Sequence, residues 1–169
     1  MNSDYWDGEI DWYSPTEIGN KPYLTGSIKQ ITTKGFENCS AKLLPAGRTV
    51  LFTSRAGIGK MAILQKEGTT NQGFQSLVLK KDIDTYFLYS SGHLIKKYAL
   101  SKASGSTFLE ISGKTMSKMD IFIPSPLEQS KIGSFFEQLD KLIILYKNKL
   151  DKLSNIKEAC FSKLFIPQE

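Results

Sequence analysis

The 169-residue chain has a single histidine and only two cysteines, and both scarcities exclude common kinds of site. His93 has no companions at metal-ligand spacing, so a zinc centre is not indicated. Cys39 and Cys160 lie far apart in the sequence, and neither belongs to a Cys-x-x-Cys motif. Isolated thiols of this kind are typical of a reduced, cytoplasmic protein rather than of a disulfide-stabilised secreted one.

Long apolar runs and nucleotide-binding motifs are also missing. No stretch of about 18 apolar residues predicts a membrane span, and the acidic residues 1–12 have no apolar centre like that of a signal peptide. Two Gly-Lys pairs, at Gly59 and Gly113, lack the glycine five residues earlier that a P-loop needs. No dinucleotide fingerprint or Ser/His/Asp constellation is present. We therefore expect no enzymatic activity, no cofactor and no metal.

Positive charge is concentrated in the middle of the chain. Residues 1–20 carry five acidic and no basic side chains, residues 21–125 carry 15 basic and 6 acidic ones, and residues 126–169 carry seven basic and six acidic ones. The middle region thus has a surplus of nine positive charges. A phosphate backbone is the commonest target of such a field, although a basic but inert surface is an open alternative.

The last forty residues hold the strongest pattern. Ser125 and Glu128 form a capping box, with Pro126 at the first helical position, which predicts the start of a helix. Apolar residues then recur at steps of mostly three and four, as in a coiled coil, and Lys157 occupies the one polar slot. The positions of this seam are Ile132, Phe136, Leu139, Ile143, Tyr146, Leu150, Leu153, Cys160 and Leu164.

A helix over residues 126–165 would be about 60 Å long at roughly 1.5 Å per residue, which exceeds the width of a domain of this size. The helix should therefore project, and its seam should contact a second helix. Because one chain supplies no second helix of that length, we expect a homodimer with antiparallel helices. The predicted division is a compact module over residues 1–124 and a spacer and dimerisation helix over residues 125–169.

The module is predicted to be α+β, with short strands, one medium helix and many loops. Strands are expected at 49–53, 61–64, 76–79 and 119–123, and one helix at 82–99 that contains His93 as a partly exposed residue. The first two strands should form a hairpin whose glycine-rich tip presents Arg55 and Lys60.

Polar side chains in the basic region are candidates for DNA recognition. Asn71, Gln72 and Gln75 cluster in one loop, and carboxamide side chains can form paired hydrogen bonds with adenine in the major groove. The guanidinium of Arg55 can form such bonds with guanine. A capped turn is the alternative interpretation of these amides. Lysines and short hydroxyls are candidates for phosphate contacts that set the register. They are Lys34, Lys60, Lys97, Lys102, Ser104, Ser106, Thr107 and Lys114.

Several strings in fixed order resemble the specificity (S) subunit of type I restriction–modification systems, in particular one target-recognition domain with its following conserved helix. They are YW at 5–6, IDW at 10–12, SPTEI at 14–18, LPAG at 44–47, VLFTSRAGIG at 50–59, TNQGF at 70–74, ASGST at 103–107 and IPSPLEQ at 123–129. The helix start joined to the heptad tail is the most specific part, since each other string alone would be weak.

This resemblance implies a DNA-reading module without catalytic activity. S subunits have two recognition domains, each reading one half of a split DNA sequence, and two antiparallel helices that set the gap between the halves. Modification (methyltransferase) subunits dock on that scaffold, and restriction subunits join the complex. With one domain and one helix, this chain is expected to be a half-subunit that binds double-stranded DNA as a two-fold dimer at a palindromic bipartite target.

Three other hypotheses stay open at this point. The first is a coiled-coil adaptor whose basic module reads no specific sequence. The second is an accessory or inhibitory S-subunit fragment that competes for modification subunits. The third, an enzyme in its own right, predicts a turnover that no motif supports.

Overall fold

The computed structural model describes residues 3–19, 21–105 and 108–165, and it has the predicted α+β class. The long C-terminal helix, Pro126–Phe165, covers the range expected from its cap and heptads. The strands are β1 (Trp6–Tyr13), β2 (Tyr23–Leu24), β3 (Lys29–Ile31), β4 (Thr49–Phe52), β5 (Met61–Leu64), β6 (Gly68–Thr70) and β7 (Leu77–Val78). The helices are α1 (Thr33–Glu37), α2 (Thr85–Ser90), α3 (Gly92–Lys102), α4 (Gly113–Met116) and α5 (Pro126–Phe165).

The strands are arranged in a three-stranded and a four-stranded sheet. In the first sheet β1 lies between β3, to which it is antiparallel, and β6, to which it is parallel. The second sheet has the order β2-β5-β4-β7. Its strands β4 and β5 form the predicted hairpin, with Val50 opposite Ile63. An antiparallel bridge from Leu44 to Gly68 connects the segment before β4 with the first sheet.

The central hairpin is buried on both faces, which explains its continuous apolar sequence. On β4, Val50 and Phe52 belong to a core shared with α2 and α3, whereas Leu51 belongs to a second core around Tyr13 and Ile18. Successive side chains of a strand point to opposite faces, so one short strand serves both cores. The second sheet therefore forms the middle layer of the module.

The predicted single helix over 82–99 is wrong, because α2 and α3 are separate helices. The chain breaks at Ser91, whose hydroxyl donates to the carbonyl of Leu88 at 2.7 Å and closes the last turn of α2. At Gly92 a β-carbon would lie only 2.8 Å from the sulfur of Met61 on β5, so glycine permits the close approach of α3 to the sheet. An apolar periodicity that is interrupted at one place is compatible with one continuous helix and also with two consecutive helices, so the sequence pattern does not distinguish them.

The predicted strand over 119–123 is also wrong. This segment has an apolar composition, and Ile121 packs against the core, but Phe122 is 85% exposed. The edges of the second sheet are β2 and β7, and neither of them pairs with this segment. Without a neighbouring strand a β-prone sequence forms no ladder, and these residues instead run irregularly into the cap of α5.

A fully buried carboxylate joins β1 to two neighbouring segments. Asp11 accepts hydrogen bonds from the backbone and hydroxyl of Ser27 and from Nε2 of Gln30, at 3.0 to 3.2 Å. Its other oxygen lies 3.1 Å from Nζ of Lys66. Burial by itself would raise the pKa of Asp11, but the bonds from Gln30, Ser27 and Lys66 outweigh it and leave that pKa below its ordinary value.

Candidate nucleic-acid interface

Three segments meet beside the end of β4. The backbone N–H of Ser54, in the β4–β5 loop, donates to the carbonyl of Gly73, in the β6–β7 loop, at 2.8 Å. The N–H of Ile111, just before α4, donates to the carbonyl of Ser54 at 3.1 Å. The N–H of Gln75 donates to the carbonyl of Phe52 at 2.9 Å. Main-chain hydrogen bonds therefore hold the three segments together as one surface, which we call the loop junction.

The shape of the β4–β5 loop is fixed by Thr53, which is fully buried. Its hydroxyl donates to the carbonyl of Gly57 at 2.7 Å and accepts from the N–H of Lys60 at 3.0 Å, while its carbonyl accepts from Gly59 at 3.0 Å. The tip has positive φ angles at Ala56 (52°) and Gly57 (104°). The latter value suits glycine, because a β-carbon would be strained there.

The loop junction gathers three of the predicted recognition residues. Arg55 follows Ser54 directly and is half-buried. The side chain of Gln75 lies against Gly113, where a β-carbon would come within 2.8 Å of its Oε1. Lys114, the next residue, is exposed on α4. Three side chains that were predicted as recognition residues, from distant parts of the sequence, thus lie beside the loop junction.

The other two amides lie in the β6–β7 loop. Oδ1 of Asn71 accepts from the N–H of Gly73 at 2.8 Å, so this side chain closes the turn, as the alternative interpretation had it. The amide nitrogen of Asn71 takes no part in this bond. Gln72 is exposed between these two residues.

The candidate phosphate contacts are more widely spread. Lys60 is exposed at the end of the β4–β5 loop, and Lys97 and Lys102 are exposed on α3. Ser104 is exposed too, and its backbone exchanges two 3.0 Å hydrogen bonds with that of Glu110. All four of these residues are exposed, in contrast to the half-buried Arg55.

Lys34 is not brought to the loop junction. It lies on α1, which packs against β1 and β3 of the first sheet, and its Nζ lies 2.7 Å from the carboxylate of Asp4. An exposed pair of this kind contributes little to stability. Ser106 and Thr107 lie outside the described residues. The assignment of all these side chains to DNA stays a prediction.

Sequence reasoning missed two residues that shape this surface. The strand pattern and the string at 50–59 both include Thr53, but neither predicts that its hydroxyl organises the loop that follows. Lys96 was not singled out, yet its side chain lies directly against Gly59 and connects α3 to the same loop. The Lys96-Lys97 pair gives no local signal of which lysine faces the loop.

Helix α5 contacts the module through its first turns. Gln129 and Gly133 are buried, and further along Glu137 and Asp140 accept hydrogen bonds from tyrosine hydroxyls of the module. The bond from Tyr23 lowers the pKa of Glu137, with a further contribution from a hydrogen bond of Lys141. This attachment was not predicted, because the apolar seam dominated the sequence pattern.

Beyond the attachment, α5 presents a long apolar surface. Ile132 is half-buried, but the later seam residues are exposed, from 38% at Leu139 to 76% at Leu164. Further exposed apolar residues lie beside the seam, namely Phe135, Leu142, Leu145, Ile156 and Phe161. Exposed apolar surface of this extent marks an interaction site.

None of the helices in the described ranges combines the length and apolar character that a membrane crossing requires. Across the same residues there is also no group of three or more histidine, cysteine or acidic side chains arranged to hold a metal.

Comparison with known proteins gives a consistent result. Residues 2–155 match the family model for the type I restriction modification DNA specificity domain. The chain is 36% identical to the type I restriction enzyme MjaIX specificity subunit of Methanocaldococcus jannaschii, covering 98% of this chain and 39% of that protein. It is 26% identical to the HindI specificity subunit of Haemophilus influenzae, covering 81% of this chain and 31% of that protein.

Solved structures show the same fold. One, described as the structural basis of complex assembly and conformational transition of the type I R-M system, has a TM-score of 0.70 at 20% identity and covers 94% of this chain and 39% of its own. The HsdS subunit from Thermoanaerobacter tengcongensis has a TM-score of 0.60 at 15% identity and covers 98% and 40%. The chain thus spans 31% to 40% of the length of these relatives. It belongs to the family of type I restriction–modification DNA specificity domains.

Proposed function

We propose that this chain is a half-subunit for DNA specificity, with one target-recognition domain and one spacer helix, and without catalysis of its own. Two copies pair through α5, and each reads one half of a palindromic bipartite target in the cytoplasm. Modification subunits dock on the paired helices, and restriction subunits join through the complex. The observation that carries the proposal is the exposed apolar surface of α5 on a module with a basic middle region.

Burial of the seam supports the dimer. About nine apolar positions on each helix, at roughly 1–2 kcal/mol each, exceed the association cost of about 4–15 kcal/mol. An antiparallel arrangement suits a two-fold dimer, because the same surface of each copy then faces the other. Lys157 and Tyr146 interrupt the aliphatic seam and would favour one register over its neighbours.

The apolar residues beside the seam support docking of a further partner. One paired helix covers the narrow stripe of the seam, whereas Phe135, Leu142 and Ile156 lie outside it at one shared heptad position, which Lys149 occupies between Leu142 and Ile156. We assign this second stripe to the modification subunits. Restriction subunits need no contact with this chain in such an arrangement.

The loop junction supports sequence reading. Arginine and carboxamide side chains supply the donors that distinguish bases in the major groove, and Arg55, Gln72 and Gln75 lie on loops that main-chain hydrogen bonds join to one another. The exposed lysines around them are suited to phosphate contacts, which position the module without specifying sequence.

Sequencing of methylated DNA from cells with and without this chain tests the proposal. The expected result is a palindromic, two-part methylated site that depends on the chain and on its α5 seam. Loss of methylation at another subunit's target when the chain is added would instead favour an inhibitory fragment that competes for modification subunits. A purified chain that binds DNA equally at all sequences and only at low salt would favour the adaptor.

A further inference from the structure

The attachment of α5 to the module lies along one face of the helix. Gln129, Gly133, Glu137 and Asp140 follow one another at steps of four, four and three, so they share a helical face. At Gly133 a β-carbon would lie 2.6 Å from Oδ1 of Asp84 and 3.0 Å from the backbone nitrogen of Phe87, which brings the helix close to the first turn of α2. This close approach fixes where the helix crosses the module.

Two tyrosines fix its direction further along. The hydroxyl of Tyr23 on β2 donates to Glu137 at 2.7 Å, and the hydroxyl of Tyr86 on α2 donates to Asp140 at 2.8 Å. The two rings also contact each other, with centroids 5.9 Å apart. Because the donors come from a strand and from a helix of the module, the two bonds restrain α5 in two directions rather than around a single pivot.

Among the described residues, no hydrogen bond joins α5 to the module beyond Asp140. A cavity of about 430 Å³ lies beside this stretch, lined on the module side by Lys21, Pro22 and Tyr89 and on the helix side by residues that include Ile144. The tyrosine–carboxylate bonds are therefore the last hydrogen bonds by which the module holds the helix. A small rotation at this place produces a large displacement at the far end of a long rod.

We propose that Tyr23 and Tyr86 are positioning residues that set the angle between α5 and the module. This inference rests on the proposed function, because in a dimer that angle decides how far apart, and in which rotation about the duplex, the two reading surfaces lie. The two tyrosines thereby select the number of base pairs between the half-sites, although neither of them contacts DNA.

A pair of spin labels gives a direct test. Cys39 on the module is exposed and free, whereas Cys160 belongs to the seam that the proposed dimer buries, so the second label is placed at Asn155→Cys, an exposed position of α5 outside the seam, in a C160A background. The distance distribution between residues 39 and 155 is then measured, with an excess of unlabelled C39S/C160A protein to dilute pairs between chains. The wild type should give one narrow distance. Y23F/Y86F should broaden or shift that distribution, because each phenylalanine keeps the ring and removes the donor.

Tyr89→Phe is the matched control. Tyr89 belongs to the same cluster, with its ring centroid 5.2 Å from that of Tyr86, but it donates no hydrogen bond among the described residues. Its variant should leave the distance unchanged. If Y23F/Y86F does not fold, E137A/D140A removes the acceptors from the helix instead. An unchanged distribution in a folded variant of either kind would overturn the positioning role.

The second measurement connects the angle to DNA. Binding is measured to duplexes that carry the methylated target with its gap lengthened or shortened by one base pair at a time. The wild type should prefer one gap by about tenfold, equivalent to roughly 1.4 kcal/mol, and Y23F/Y86F should lose most of that preference while binding a single half-site as before. A broadened distance with an unchanged gap preference would refute the inference and leave the proposed function intact. Absence of specific binding by the wild type would refute the proposed function, whereas the spin-label distances would still test the tyrosines.

Discussion

The side-chain oxygen of Gln129 accepts a hydrogen bond from the backbone N–H of Asp84 at 2.9 Å. Its amide nitrogen donates to the carbonyls of Pro124, at 2.9 Å, and Asp82, at 3.3 Å. Asp84 in turn caps α2 through the N–H of Phe87 at 2.8 Å. One buried carboxamide thus connects the starts of two helices and satisfies backbone groups that would otherwise be buried without partners.

Gln129→Leu should destabilise the protein by about 1–3 kcal/mol, because it leaves the N–H of Asp84 and two carbonyls without this partner. Chemical denaturation measures the change. Gln138→Leu is the control, since Gln138 is exposed on the same helix, and it should change the free energy of unfolding by less than about 0.5 kcal/mol. Equal effects of the two substitutions would contradict the anchoring role of Gln129.

Stability should fall in acid as Asp11 becomes protonated. The folded-state pKa of Asp11 lies below its ordinary value of 3.8, so the ionised carboxylate stabilises the fold fully above that value, and the contribution is lost as the pH falls through the lower, folded-state pKa. Asp11→Asn should cost about 1.5–3 kcal/mol at pH 7 and flatten the decline of stability below about pH 4.

Thermal unfolding across pH measures this difference, and Asp120→Asn, at an exposed carboxylate, is the control. If the Asp11 variant keeps the same slope in acid as the wild type, the stabilising role of the ionised carboxylate is wrong.

Arg55→Ala should weaken binding to the specific site and relax the preference at one base position, by about 1–3 kcal/mol. Lys97→Ala should weaken binding to all DNA sequences equally. It should also reduce the salt dependence of the affinity by the amount that corresponds to about one phosphate contact. Titrations with specific and random duplexes at several salt concentrations separate the two. Lys34→Ala is compared with Lys97→Ala, because the fold places Lys34 away from the loop junction and its Nζ pairs with Asp4. A variant of Arg55 that loses affinity equally for every sequence would assign that residue to phosphate rather than to bases.

Leu150→Asp should convert the dimer to a monomer, because it places a charge in the middle of the seam. Sedimentation at micromolar concentration measures the assembly state. Lys152→Asp, at an exposed position of the same helix outside the seam, should leave the dimer intact. A wild-type chain that sediments as a monomer at that concentration would exclude the homodimer.

The sequence predicted those elements whose signals are local. The cap at Ser125, the heptads of α5 and the buried hairpin around Leu51 all depend on neighbouring residues, and the structure confirms the helix and the two strands. The boundary at Ser91 was missed because an apolar periodicity continues across it. The strand over 119–123 was wrong because a strand exists only where a partner strand lies beside it.

The attachment of α5 could not be predicted from the sequence for a related reason. Glu137 and Gln129 look like ordinary solvated residues of a charged helix, and their partners are Tyr23 and Asp84, 114 and 45 residues earlier in the chain. Such pairings follow from the tertiary arrangement. Arg55 and the amides were chosen as candidates from their chemical type, and the main-chain bonds that bring their loops together gave no sequence signal.

Those bonds have a consequence for how such a domain can change over time. Ser54 is joined to Gly73 and Ile111 through backbone atoms, which every residue except proline can supply. Exposed side chains around the junction can therefore be exchanged without loosening the loops that carry them, whereas Thr53 and Asn71, whose side chains bond to those loops, cannot. On the proposed function, point substitution at exposed positions such as Gln72 changes the DNA preference while the framework stays constant.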